Sequence, residues 1–114
     1  MNFKGSLQLL ILNALAQGPN HGYQIAQHIK QHSHGVLDFK EGTLYPTLLW
    51  LERLGYLESA EAEENGRIRR DYHLTESGRQ LLAAEKQAWR QFVRAVDLNL
   101  EYEWPQIDPA GQGE

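Results

Sequence analysis

The chain has 114 residues, 41% apolar and 23% charged, enough for one compact domain plus one long element and too few for two ordinary domains. It has no cysteine, which excludes disulfides and cysteine-rich zinc sites and fits a reducing compartment, so the cytoplasm is the expected location. The net charge of −4 argues against nucleic acid only until it is mapped. Residues 1–96 carry 11 Lys and Arg against 10 acids, and the other five acids (Asp97, Glu101, Glu103, Asp108, Glu114) lie in residues 97–114 with no basic residue among them.

No apolar run approaches the roughly 20 residues of a membrane span, and no membrane partner is expected. The first apolar run, "LQLLILNALA" (7–16), follows a lone Lys4, and Gln8 and Asn13 interrupt it. It reads as a buried helix rather than a secretory signal. Ser6 is placed as its cap, with Leu7, Leu10, Ile11, Ala14 and Leu15 at helical spacing as far as Gln17. Gly18-Pro19 ends it. Asn20 is then expected to cap a second helix over 21–33, with Tyr23, Ala26 and Ile29 on one stripe beside Ile25 and a stop at His34-Gly35.

The third expected helix lies within "EGTLYPTLLWLERLGYL" (41–57), and the pattern changes after Gly55. Leu44, Leu48, Leu51 and Leu54 make its buried face, while Pro46, Leu49, Trp50 and Arg53 fall opposite. With Thr43 as N-cap, Pro46 would sit in the first turn, where its missing N–H costs nothing. Thr43 and Tyr45 would then stand at the positive end of the helix dipole, where free N–H groups suit a phosphate and later turns can reach base edges. The same residues also fit a plain structural role, Tyr45 packing on the core and Thr43 only capping. Chemistry alone does not separate the two.

Asn65-Gly66 marks a two-residue hairpin between "YLESAEAE" (56–63) and "RIRRDYHL" (67–74). In the second strand Ile68, Arg70, Tyr72 and Leu74 share one face; Arg67, Arg69, Asp71 and His73 share the other. Thr75 caps a last helix running to about 102, with Leu82, Trp89 and Val96 seven apart and Phe92 among the neighbouring apolar residues. That stripe is longer than a small domain can cover, so two copies are expected to join through it, using Leu7, Leu10, Leu82, Trp89, Phe92 and Val96. The fold expected is mainly α with a small β-hairpin wing. A winged helix-turn-helix would occupy 1–75, a C-terminal dimerisation helix 76–103, and an acidic, disordered tail 104–114.

"HGYQI" (21–25), "GTLYPTLLWLERLGYL" (42–57) and "RRDYHLTESGRQLL" (69–82) together resemble the PadR family of bacterial transcriptional regulators, in particular its short subfamily with a single C-terminal helix. The resemblance implies a homodimeric repressor that binds a pseudo-palindromic operator in double-stranded DNA, with the third helix in the major groove, the wing on flanking backbone and a small molecule able to release it. Carried over by position, it points to Tyr23, Thr43, Tyr45, Pro46, Arg69 and Arg70. Adding exposed and basic neighbours gives the expected DNA-binding set: Tyr23, Lys40, Thr43, Tyr45, Pro46, Trp50, Arg53, Arg67 and Arg69. Arg70 is expected to turn away and pair with a glutamate.

Two departures stand out. Family members commonly carry His-Arg where this chain has Leu49-Trp50. Glu58, Glu61, Glu63 and Glu64 on the wing would repel phosphates unless they pair with Arg67, Arg69 and Arg70. In drug-responsive relatives a tryptophan corresponding to Trp89 stacks on planar aromatic compounds. Trp89 and Phe92 are therefore the candidate ligand residues, against the alternative of simple interface core.

His28 and His32 sit at a spacing that can share a metal, but no third ligand stands at a persuasive distance in sequence, so no metal or cofactor is expected. With no Gly-rich phosphate loop, nucleophile elbow or matched carboxylate pair, an enzyme is not expected. The rival from another class is a winged-helix protein-interaction module that binds no DNA.

Overall fold

A computed structural model describes residues 4–101. Its elements run α1 (Lys4–Leu15), β1 (Asn20–His21), α2 (Gly22–Gln31), α3 (Glu41–Arg53), β2 (Leu57–Glu64), β3 (Arg67–Leu74) and α4 (Glu76–Glu101). The acidic tail expected over 104–114 lies outside the described residues.

Helix α1 is apolar around most of its circumference and runs through the middle of the domain. Leu7, Leu9, Ile11, Leu12, Ala14 and Leu15 are all buried, as a helix wrapped by its neighbours must be. It starts at Lys4 rather than at a cap on Ser6, which is itself buried inside the first turn. Ile25 and Ile29 of α2 and Leu44, Leu48 and Leu51 of α3 pack onto it; Leu57, Tyr72 and Leu74 of the sheet and Leu82 of α4 close the core. Leu7 and Leu82, expected at a dimer interface, are thus 1% and 7% exposed and have no area left for a partner.

Helix α3 ends in a Schellman arrangement that Gly55 makes possible at φ 87°. The Gly55 N–H bonds the Glu52 carbonyl and the Tyr56 N–H bonds the Leu51 carbonyl, at 2.9 and 3.0 Å. The start of α4 is fastened to this corner. Thr75 Oγ1 receives the Gly78 N–H at 3.1 Å as an N-cap and donates to the Gly55 carbonyl at 2.7 Å. Ser77 Oγ donates to the same carbonyl at 2.9 Å.

The hairpin turns at Asn65 and Gly66, both at positive φ (56° and 77°), as a type I′ turn requires. Its strands pair in register from Leu57 with Leu74 to Glu64 with Arg67. Asn20, expected to cap α2, instead belongs to the short strand β1, which pairs with β3 through Asn20–Tyr72 and His21–Asp71 and gives the sheet order β1-β3-β2. His21 takes the cap position of α2 without a side-chain hydrogen bond. Beyond the sheet contact, Ile68 does not follow Tyr72 and Leu74 into the core: it is 72% exposed near the wing tip.

Candidate nucleic-acid interface

Helix α3 begins two residues before Thr43. Lys40 is its N-cap, and the Thr43 and Leu44 N–H groups both bond the Lys40 carbonyl at 2.9 Å. Thr43 is therefore a first-turn residue, not the cap, and Pro46 lies inside the helix. The proline leaves the Gly42 carbonyl without its helical donor. Gly42 is exposed, so that carbonyl can be hydrated. Glu41, also in the first turn, offsets part of the positive dipole end that a phosphate would meet.

The outer face of α3 is open. Pro46 and Arg53 are exposed, Leu49 is 54% and Trp50 51% exposed, while Thr43 is half-buried. Tyr45 is both packed and partly exposed. Its ring lies against the first residue of α2, so close that a Cβ on Gly22 would sit 2.5 Å from Tyr45 Cε1, yet 38% of the residue remains exposed. Gly22 was not among the expected site residues; its signal was the glycine of "HGYQI". Next to it, Tyr23 is exposed rather than on the buried stripe, with its ring 6.5 Å from His21 and nearly parallel to it. Tyr23 thus directly follows the glycine on which the Tyr45 ring rests. Tyr72 lies buried behind them, and burial first, then Glu52, pushes its hydroxyl above the ordinary value of 10.

The wing is electrostatically quiet. Arg69 is held between Glu64 and Asp71, the Asp71 contact running from Nε at 3.1 Å. Arg70 reaches Glu61 at 3.6 Å and Ser59 Oγ at 2.9 Å, the pairing expected of it. His73 Nε2 lies 3.1 Å from Glu58. Arg67, by contrast, is exposed and has no ion pair among the described residues. The expected pair of phosphate-facing arginines thus reduces to one unengaged cation per wing. Lys40 is similarly drawn toward Asp38 at 3.6 Å, which Lys30 shares at the same distance.

Elsewhere, α1 and α4 border an open groove of about 620 Å³ lined by Gly5, Leu9, Trp89, Phe92, Val93 and Val96, among others. Trp89 and Phe92 meet at a ring-centroid distance of 5.8 Å. The groove is 30-odd residues of chain removed from α3 and shares no residue with the outer face described above. His28 and His32 stack at 4.0 Å, and no group of three or more metal-binding side chains occurs among the described residues.

Three helices, a hairpin wing and a third helix with an open outer face define a winged helix-turn-helix, a class built to place one helix in a DNA groove. Residues 11–84 match the transcriptional regulator PadR-like family, and the chain belongs to that family of DNA-binding regulators. It is 36% identical over 93 residues to Transcriptional regulator Rv3488 of Mycobacterium tuberculosis, covering 82% of this chain and 84% of that protein. Its fold matches a PadR family transcription regulator from hypervirulent Clostridium difficile R20291 (TM-score 0.73, 29% identity, 84% of this chain and 99% of that one). It also matches a PadR-like transcriptional regulator from Bacillus cereus (TM-score 0.76, 28% identity, 89% and 97%).

Proposed function

We infer that this chain acts as a dimeric repressor that lays α3 of each protomer in successive major grooves of a pseudo-palindromic operator. The observation that carries the reading is the open face of α3 beside exposed Tyr23 and half-packed Tyr45, on a domain whose family regulates transcription. Tyr45 and Thr43 anchor the helix start on backbone phosphates. Arg67 supplies the wing's ionic contact. Helix α4 serves as the dimerisation helix.

Exposed apolar residues on α4 support the dimer. Phe92, Val96 and Leu100 share one face of the helix and are 50%, 36% and 77% exposed. Burying each large side chain is worth about 1.5–3 kcal/mol, so a second copy covering this stretch is strongly favoured. Leu10 of α1, like Trp89, is partly buried against the core. A planar aromatic compound stacked on Trp89 and Phe92 would enter at this junction. The release signal would pass along α4 to the Thr75–Ser77 fastening at the end of α3.

The specific observation favouring the rival, a module that binds no DNA, is the wing whose Arg69 and Arg70 are already neutralised. A salt titration on a duplex selected from a random pool decides between them. The repressor reading predicts specific binding whose logarithm falls linearly with the logarithm of salt, and Arg67→Ala flattening the slope by about two per dimer, one contact for each wing. An interaction module would bind no duplex even at low salt.

A further inference from the structure

The outward row of α3 is poor in hydrogen-bonding groups. Gly42, Pro46, Leu49, Trp50 and Arg53 lie within about 60° of the direction opposite Leu44, at about 100° per residue. Gly42 and Pro46 offer no side-chain donor or acceptor, and Leu49 none either. The Trp50 indole has a single N–H, and only Arg53, in the last turn, has the fork that reads guanine. Leu49 and Trp50 are nevertheless more than half exposed, at 54% and 51%. From Pro46 to Arg53 the row is about 10 Å long, about three base-pair steps.

A bare apolar surface of this kind leaves base edges desolvated and unpaired wherever they present amides or carbonyls. One feature of the major groove suits it: the 5-methyl group of thymine. We propose that Leu49 and Trp50 specify the operator by apolar contact with thymine methyl groups, hydrogen-bonded readout being confined to Arg53. This rests on the repressor reading, and it names the base chemistry that α3 recognises. The centre of each half-site is thereby A·T base pairs with thymines on the strand facing Leu49 and Trp50, and any guanine contact falls at the Arg53 end.

The first arm of the test is made on the DNA, so it does not depend on how a variant folds. The full chain selects a duplex from a random pool, and each thymine of a half-site is then replaced singly by deoxyuridine, which removes the methyl group alone. At least one replacement per half-site lowers affinity about fourfold, the worth of one buried methyl group, without changing the salt slope. Leu49→Ala or Trp50→Ala then makes the thymine and deoxyuridine duplexes bind alike at that position, the signature of a direct coupling. Fully deoxyuridine-substituted duplex bound as tightly as the thymine form overturns the proposal, as does a thymine preference that survives in both variants. Selection of no duplex at all overturns the repressor reading and this inference together; selection of a duplex without thymine preference overturns the inference alone.

Discussion

Gly22 shows how closely the candidate interface is fitted. Its missing side chain is where the Tyr45 ring rests, and a methyl group there would lie 2.5, 2.9 and 3.0 Å from Cε1, Cζ and the hydroxyl oxygen. In Gly22→Ala the ring must swing away, which a 38% exposed side chain can do at modest cost. The expected outcome is a folded protein, destabilised by about 1 kcal/mol, whose operator affinity falls severalfold. The double variant with Tyr45→Ala should lose little more than Tyr45→Ala alone, measured by thermal unfolding and duplex titration.

His28 makes a different residue-scale statement. Burial first, then the stacked His32, lowers its pKa below the ordinary 6.5. Folding therefore favours the neutral ring. Stability is fully present above pH 6.5 and is lost as pH falls through the folded value, because the unfolded chain binds the proton more readily in that window. Thermal unfolding between pH 7.5 and 5 should show a decline that is shallower in His28→Gln.

At the scale of elements, the corner between α3 and α4 carries the strictest demand. A Cβ on Gly78 would lie 2.2 Å from the Tyr56 carbonyl oxygen and 3.2 Å from Leu74 Cδ2. The first obstacle is backbone, fixed by the Schellman turn at Gly55 and by the Thr75 N–H bonded to that same carbonyl at 3.2 Å. Gly78→Ala should cost at least 2–3 kcal/mol or prevent folding, read by denaturant unfolding, whereas Ala83 on the exposed side of α4 should accept substitution freely.

The glycine of "LTESG" was readable as part of a motif, and Thr75 as a cap. The clash that makes the glycine necessary was not, since it depends on a carbonyl 22 residues earlier. The hairpin and the Leu44, Leu48 and Leu51 face of α3 were legible because turn chemistry and periodicity are local; Leu54, also expected on that face, is the C-cap and is 49% exposed. The start of α3 was misplaced because Lys40 caps with its backbone alone, and β1 was missed because two residues carry no alternation. The Glu64–Arg69–Asp71 grouping needed the strand register.

At the scale of the molecule, α4 divides the chain into two surfaces. Its first half is held by the core through Gly78 and Leu82, while no residue from Arg90 to Glu101 is buried. A 26-residue helix is about 39 Å long, so the unburied part extends over more than 15 Å. Pairing two copies along it would relate the two α3 helices by a two-fold axis, the symmetry that a pseudo-palindromic operator mirrors.

The absence of cysteine permits a direct test: a single Glu41→Cys at the exposed start of α3, carrying a tethered iron chelate that cuts DNA nearby, in the presence of the selected duplex. Two clusters of strand cleavage related by the operator's symmetry, their centres one or more helical turns of about 10 base pairs apart, are predicted. Cleavage spread evenly along the duplex, or a single unpaired cluster, would contradict the placement of α3 from two protomers in the major groove.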